Sequence, residues 1–113
     1  MVTNTDTRLA KFQSEFLPKL VAAFRPTLVL AFGSRARGEA LKWSDLDLLV
    51  VSESFRDVRW LDRRVRVLET LDPPFGVDLL CYTPEEYERK RGELGIVRRA
   101  SEEGIVLVGS RPG

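Results

Sequence analysis

Two hydrophobic periods alternate along this chain, and each change of period marks an element. Leu9, Phe12, Phe16, Leu20, Val21 and Phe24 recur at helical spacing. Residues 6–24 therefore read as an N-terminal helical segment, capped by Thr5 or Asp6, with those six side chains on its buried face. Pro18 lies within the run and predicts a kink, or a break into two helices, near Phe16 and Leu17, because proline lacks the N–H that would continue the ladder. Residues 27–32 are short, apolar and rich in strand formers, which predicts a buried strand. A short helix near residues 35–40 and a loop over residues 41–44 lead to a second apolar strand, residues 45–51. Residues 57–71 return to helical spacing, with Val58, Leu61, Val65 and Leu68 expected to face the sheet. Arg56, Arg59, Arg63 and Arg66 are expected on the solvated side. Asp72, Pro73 and Pro74 stop this helix, and a third strand-like run covers residues 75–82.

The C-terminal third carries its own punctuation. Thr83, Pro84 and Glu86 have the spacing of a capping box with proline at the first helical position. Gly92 and Gly95 bracket an irregular piece. Residues 96–103 read as a helix ended by Gly104, residues 105–108 as a last short strand, and residues 110–113 as a loose tail. Helices alternating with short strands imply an α/β (α+β) fold, a small mixed sheet flanked by helices. The chain reads as one domain over residues 1–113, with the helical segment 6–24 leading into a core at 27–108.

Composition narrows the chemistry. The 113 residues are 43% hydrophobic and 31% charged, with a net charge of +1. That balance suits one domain with an ordinary core and gives no strong field toward nucleic acid, so direct nucleic-acid binding is not expected. No apolar run is long enough to span a bilayer, and the N-terminus has no signal-peptide pattern, so no membrane association is expected. Cys81 is the only cysteine, and no internal disulfide is possible. A cytoplasmic location is the matching expectation. The chain has no histidine, which removes Ser-His and Cys-His nucleophiles and His-based metal sites. No Walker-type phosphate loop is present. Carboxylates with a hard metal are the main catalytic resource left.

Those carboxylates stand in a pattern. Gly33-Ser34 closes the first strand, and the free backbone N–H groups of the turn after it suit a phosphate. Ser34 adds a hydroxyl, and Arg35 and Arg37 add positive charge. After ten intervening residues, Asp45 and Asp47 open the second strand on one side of it, with Leu46 and Leu48 on the other. Two adjacent carboxylates at a strand end favour a divalent cation, and oxygen-only ligation suits Mg²⁺. Asp78 sits among apolar residues of the third strand and is expected to share a face with Leu80 and Tyr82. If the second and third strands are neighbours, the three acids converge. The plainer alternatives are ordinary loop-to-strand acids at Asp45 and Asp47, a simple tight turn at Gly33-Ser34, a structural ion pair at Asp78, and solvated side chains at Arg35 and Arg37. Trp43 and Trp60 are expected to be partly buried surface aromatics, and the alternative for Trp43, close to Asp45, is to border the pocket or a partner surface.

Gly33-Ser34, Asp45-x-Asp47, a later Asp78 and the Arg35-Ala-Arg-Gly38 run resemble the nucleotidyltransferase superfamily that includes DNA polymerase β. The match is nearest its minimal members, the stand-alone domains often paired with HEPN proteins, and it covers roughly residues 24–108. The resemblance implies two Mg²⁺ ions held by Asp45, Asp47 and Asp78. It also implies an NTP, by family default ATP, with its β- and γ-phosphates at Gly33 and Ser34. Attack of a hydroxyl on the α-phosphorus would transfer the nucleoside monophosphate and release pyrophosphate. It further implies a helical HEPN-type partner, with the chain acting as antitoxin by attaching AMP to it. The alternative is a non-catalytic antitoxin that neutralises by complex formation. Acceptor, base preference and oligomeric state stay open, a homo-oligomer among the options.

Overall fold

A computed structural model of the chain describes residues 6–41 and 44–110. The expectations for Thr5, Trp43 and the last three residues of the tail lie outside the described residues. The first helical segment comprises α1 (Thr7–Lys11), a wider π turn (Phe12–Phe16) and α2 (Leu17–Phe24). Asp6 caps it, its Oδ1 accepting from the backbone N–H groups of Arg8 and Leu9 at 3.0 Å each. The irregularity expected near Phe16 and Leu17 takes the form of this widening, which ends at Phe16 where α2 begins. The Leu17 N–H donates to Phe12 O, five residues back, which gives the proline ring room without parting the helix. The inserted residue also rotates the turns after it. Leu20 stays fully buried, but Val21, expected on the buried face, turns outward to 40% exposure.

The four strands are β1 (Leu28–Phe32), β2 (Leu46–Val51), β3 (Val77–Tyr82) and β4 (Ile105–Val108), in the order β3-β2-β1-β4. β1 runs antiparallel to β2 and β4, whereas β2 and β3 are parallel. A parallel pair needs a crossover, here α4 (Trp60–Leu71). Between β1 and β2 lies the short α3 (Gly33–Arg37), while α5 (Pro84–Arg91) and α6 (Ile96–Glu103) come after β3. The Thr83–Glu86 capping box forms as its spacing predicts.

Strand alternation divides the core into two layers. Leu46, Leu48, Val50, Leu79 and Cys81 meet Leu9, Phe12, Phe16, Leu20, Val67 and Leu71 from the N-terminal segment and α4. Leu49, Val51 and Tyr82 on the opposite face pack with Tyr87, Val97 and Ala100 of α5 and α6. Each fully buried leucine contributes about 2 kcal/mol relative to exposure. Cys81 packs in the first layer as expected, and burial pushes its thiol up to about 12, which leaves it an unreactive core residue.

The buried face of α4 differs from expectation. Leu61 and Val65 are exposed, and Val67, Leu71 and Arg63 turn inward instead. The helix begins at Trp60 rather than Asp57. Positions 63, 67 and 71, four apart, form the inner stripe. Arg63 can be buried because every edge of its guanidinium finds an acceptor: Val58 O at 2.9 Å, Cys81 O at 3.1 Å, and Glu86 Oε1 at 2.6 Å. Trp60 lies beside Tyr82, ring centroids 4.8 Å apart, with the Arg63 guanidinium 5.7 Å over its indole. Arg63 therefore joins the start of α4, the end of β3 and the first turn of α5.

Glu86 belongs both to this knot and to the capping box, accepting the Thr83 N–H at 2.8 Å. The Arg63 hydrogen bond, aided by Thr83 and opposed by desolvation, holds its carboxyl at about 2, below the ordinary 4.5. A depressed folded-state value stabilises the fold above pH 4.5, and that contribution is lost as pH falls toward 2. Urea unfolding between pH 5 and pH 2 is expected to show the loss in wild type and a flatter profile in Glu86→Gln. The difference should be about 1–2 kcal/mol, below the full value of the shift because water still reaches the carboxylate. Equal slopes in the two proteins would remove Glu86 from the acid-sensitive part of the fold.

Candidate functional site

Three strands deliver the site as one row. Phe32 pairs with Asp47 across β1 and β2, and Asp47 pairs with Asp78 across β2 and β3. Alternation turns all three toward the α6 side of the sheet. Asp45 lies one residue before β2, where the Leu46 N–H donates to Gly76 O at 3.0 Å. The neighbouring of β2 and β3, on which convergence of the acids depends, is therefore present.

Two glycines make room for two carboxylates. Gly33 has φ +75°, a backbone conformation that glycine adopts freely, and a Cβ placed on it would run into Asp47 Oδ2. A Cβ on Gly76 would likewise collide with Asp45 Oδ1. The turn and the acids are thus parts of one site, with Asp47 lying directly on the backbone of the turn. Burial raises the Asp47 carboxyl above the ordinary aspartate range, the charges of Asp78 and Asp45 add to this, and Arg37 opposes it. Crowded carboxylates that disfavour their own ionisation favour a cation.

The donor set fits a hard divalent ion. It consists of carboxylate oxygens alone, half-buried at Asp47 and exposed at Asp45 and Asp78. Among the described residues, no three acidic, histidine or cysteine side chains are gathered tightly enough to hold a metal by themselves. Coordination completed by water and substrate phosphate matches that openness.

The two arginines of the turn have different surroundings. Arg35 is buried, its Nη1 2.9 Å from Asp6 Oδ2, its Nε donating to Ser44 O at 2.8 Å and its Nη2 to Leu41 O at 3.2 Å. It ties the helix cap to both ends of the loop that delivers Asp45, which departs from the phosphate role expected of it. Arg37 is half-exposed, pairs with Glu39 at 3.2 Å, and borders a cleft of about 170 Å³. Gly33, Phe32, Ala36 and Asp47 line one side of this cleft, and Ile96, Arg99, Ala100 and Glu103 of α6 line the other. Ser34 is half-buried in the first turn of α3. Sequence reasoning missed Gly76, whose only signal was a glycine two residues before Asp78, and missed the α6 wall, which has no local signature.

Comparison with known proteins agrees with this geometry. The family model for the nucleotidyltransferase domain matches residues 13–107. The chain belongs to the nucleotidyltransferase domain family. It is accordingly a nucleotidyltransferase, as the family resemblance of its motifs implied. A Haemophilus influenzae relative named "Probable protein adenylyltransferase MntA" is 37% identical over 79 residues, covering 68% of this chain and 69% of that protein. The crystal structure of a candidate nucleotidyltransferase from Sulfolobus solfataricus has 29% identity and a TM-score of 0.59, covering 74% of this chain and 75% of its own. A toxin-antitoxin crystal structure with AMP-PNP shares the fold at 18% identity and a TM-score of 0.57, covering 88% of this chain and 74% of its own. No helix among the described residues is long and apolar enough to cross a membrane.

Two substitutions separate strain from displacement in this nucleotidyltransferase. Gly33 and Gly38 have nearly the same φ, +75° and +74°, but a Cβ at Gly38 meets no described atom within 4 Å. Gly33→Ala and Gly38→Ala should each cost about 1–2 kcal/mol in thermal unfolding. Only Gly33→Ala should also lower transfer activity, by about tenfold or more, because it moves Asp47. Equal activity in the two variants would mean that the Gly33–Asp47 contact has no part in the reaction. Arg35→Ala is expected to lose about 3 kcal/mol of stability, since it removes the guanidinium partner of the largely buried Asp6 carboxylate. A protein of wild-type stability with weakened ATP binding would instead return Arg35 to the phosphates.

Proposed function

We propose that this nucleotidyltransferase transfers AMP from ATP to a hydroxyl acceptor on a protein and releases pyrophosphate. The observation that carries this reading is the seating of Asp47 on Gly33, in one row with Asp78, which sets a phosphate turn against an acid cluster. The likeness to a protein named as an adenylyltransferase supports both the nucleotide and the acceptor class. Asp45, Asp47 and Asp78 are the residues to hold Mg²⁺, two ions by the family pattern. The metal supplies charge neutralisation at the triphosphate and at the entering and leaving oxygens.

The chain's own residues bring the reactants together. Gly33 and Ser34 present backbone N–H groups and a hydroxyl to the terminal phosphates, and Arg37 adds charge at the same end. Asp78, exposed at the end of the row, faces the incoming acceptor and assists removal of its proton. The acceptor oxygen forms a bond to the α-phosphorus as the bond to pyrophosphate breaks. Positioning and charge supply the rate, and no covalent enzyme intermediate is needed. The family resemblance adds a helical HEPN-type protein as partner and acceptor, with the chain acting as its antitoxin in the cytoplasm.

Label transfer from α-³²P-ATP with Mg²⁺, with host lysate as acceptor pool, tests this reading. A labelled protein band is expected with wild type, and the Asp45→Asn/Asp47→Asn protein should lose at least about a hundredfold of the signal. Full labelling by the folded double variant would sink the assignment of these acids. Neutralisation of a co-expressed partner that survives their loss would favour complex formation over transfer.

A further inference from the structure

The cleft has a second basic wall that the motif does not supply. On α6, Val97 and Ala100 are buried against the sheet, so the next stripe, Ile96, Arg99 and Glu103, borders the cleft opposite Arg37. With Arg35 buried in the scaffold, Arg37 and Arg99 are the cations lining this space among the described residues. Asp47 and Asp78 lie on the same face of the sheet, and Asp45 lies just before β2. A triphosphate entering beside three carboxylates needs positive charge on the side away from them.

Resting on the ATP-dependent reading above, we propose that Arg99 is a second phosphate-binding arginine that grips the β- and γ-phosphates from the α6 wall, with Glu103 as its partner before nucleotide arrives. The Arg99–Glu103 contact is suited to exchange. At 3.9 Å it is the long limit of an ion pair, and the side chains are 77% and 62% exposed. The arginine precedes the glutamate, the less favourable order for an i,i+4 pair on a helix. Such a pair is worth little in water, whereas a guanidinium on phosphate makes short, charge-assisted bonds. Phe32, Ala36 and Ala100 also line the cleft, and their apolar surface strengthens a charge–charge contact made within it. Arg98, one residue earlier, pairs with Glu102 at 3.1 Å and does not line this cleft.

Titration calorimetry with ATP, ADP and AMP in the presence of Mg²⁺ tests the assignment. Arg99→Ala is expected to weaken ATP about tenfold or more and ADP less, with AMP within about twofold of wild type. Arg99→Lys should recover part of the ATP affinity, because it restores the charge without the fork. Arg98→Ala should bind all three as wild type does. Unchanged ATP affinity in Arg99→Ala overturns the proposal. So does an equal loss for ATP and AMP, which would place Arg99 away from the terminal phosphates. An equal loss in Arg98→Ala would reduce the effect to general surface charge and overturn it too. A wild-type protein that binds none of the three nucleotides would overturn the ATP reading itself, and this proposal with it.

Discussion

The site depends on the register between β2 and β3. These strands are parallel, with Asp47 opposite Asp78 and Leu46 opposite Val77. A slip of one residue would carry Asp78 to the opposite face, into the layer filled by Leu79 and Cys81. The hydrophobic pattern therefore guards the chemistry. Any arrangement that parts the two acids also exposes core leucines and buries a carboxylate, and both changes are costly.

Two buried arginines hold that register from either side. Arg63 fastens the crossover helix to Cys81 O, at the far end of β3, and to Glu86 in the next helix. Arg35 fastens the loop before Asp45 to the cap of the first helix. Each is a charge removed from water, which is tolerated because carboxylate and carbonyl acceptors surround it. The exposed pairs along α5 and α6, such as Arg91–Glu88 and Arg98–Glu102, lie in water and contribute little by comparison.

The acids themselves work against the fold. Asp47 is half-buried beside two like charges, and its raised carboxyl records that strain on the charged form. Gly33 and Gly76 accommodate the crowding by having no side chain where the carboxylates sit. An arrangement of this kind is poor as pure scaffold and well suited to a bound cation and phosphate. The nucleotidyltransferase family of the chain accounts for that combination.

Local chemistry was legible in the sequence. The Thr83–Glu86 capping box, the helix over residues 96–103 and the last strand are set by spacing and punctuation within a few residues of each feature. The face of Asp47 comes from alternation along one strand, and Asp45 lies just before that strand. The pairing of β2 with β3 stood only as a condition, and tertiary structure met it. Tertiary structure also decided which arginines are buried, which face of α4 turns inward, and which helix walls the cleft. The physical reason is distance along the chain. Arg35 meets Asp6 29 residues away and Arg63 meets Glu86 23 residues away, and a short window cannot distinguish an arginine with such a partner from one that faces water.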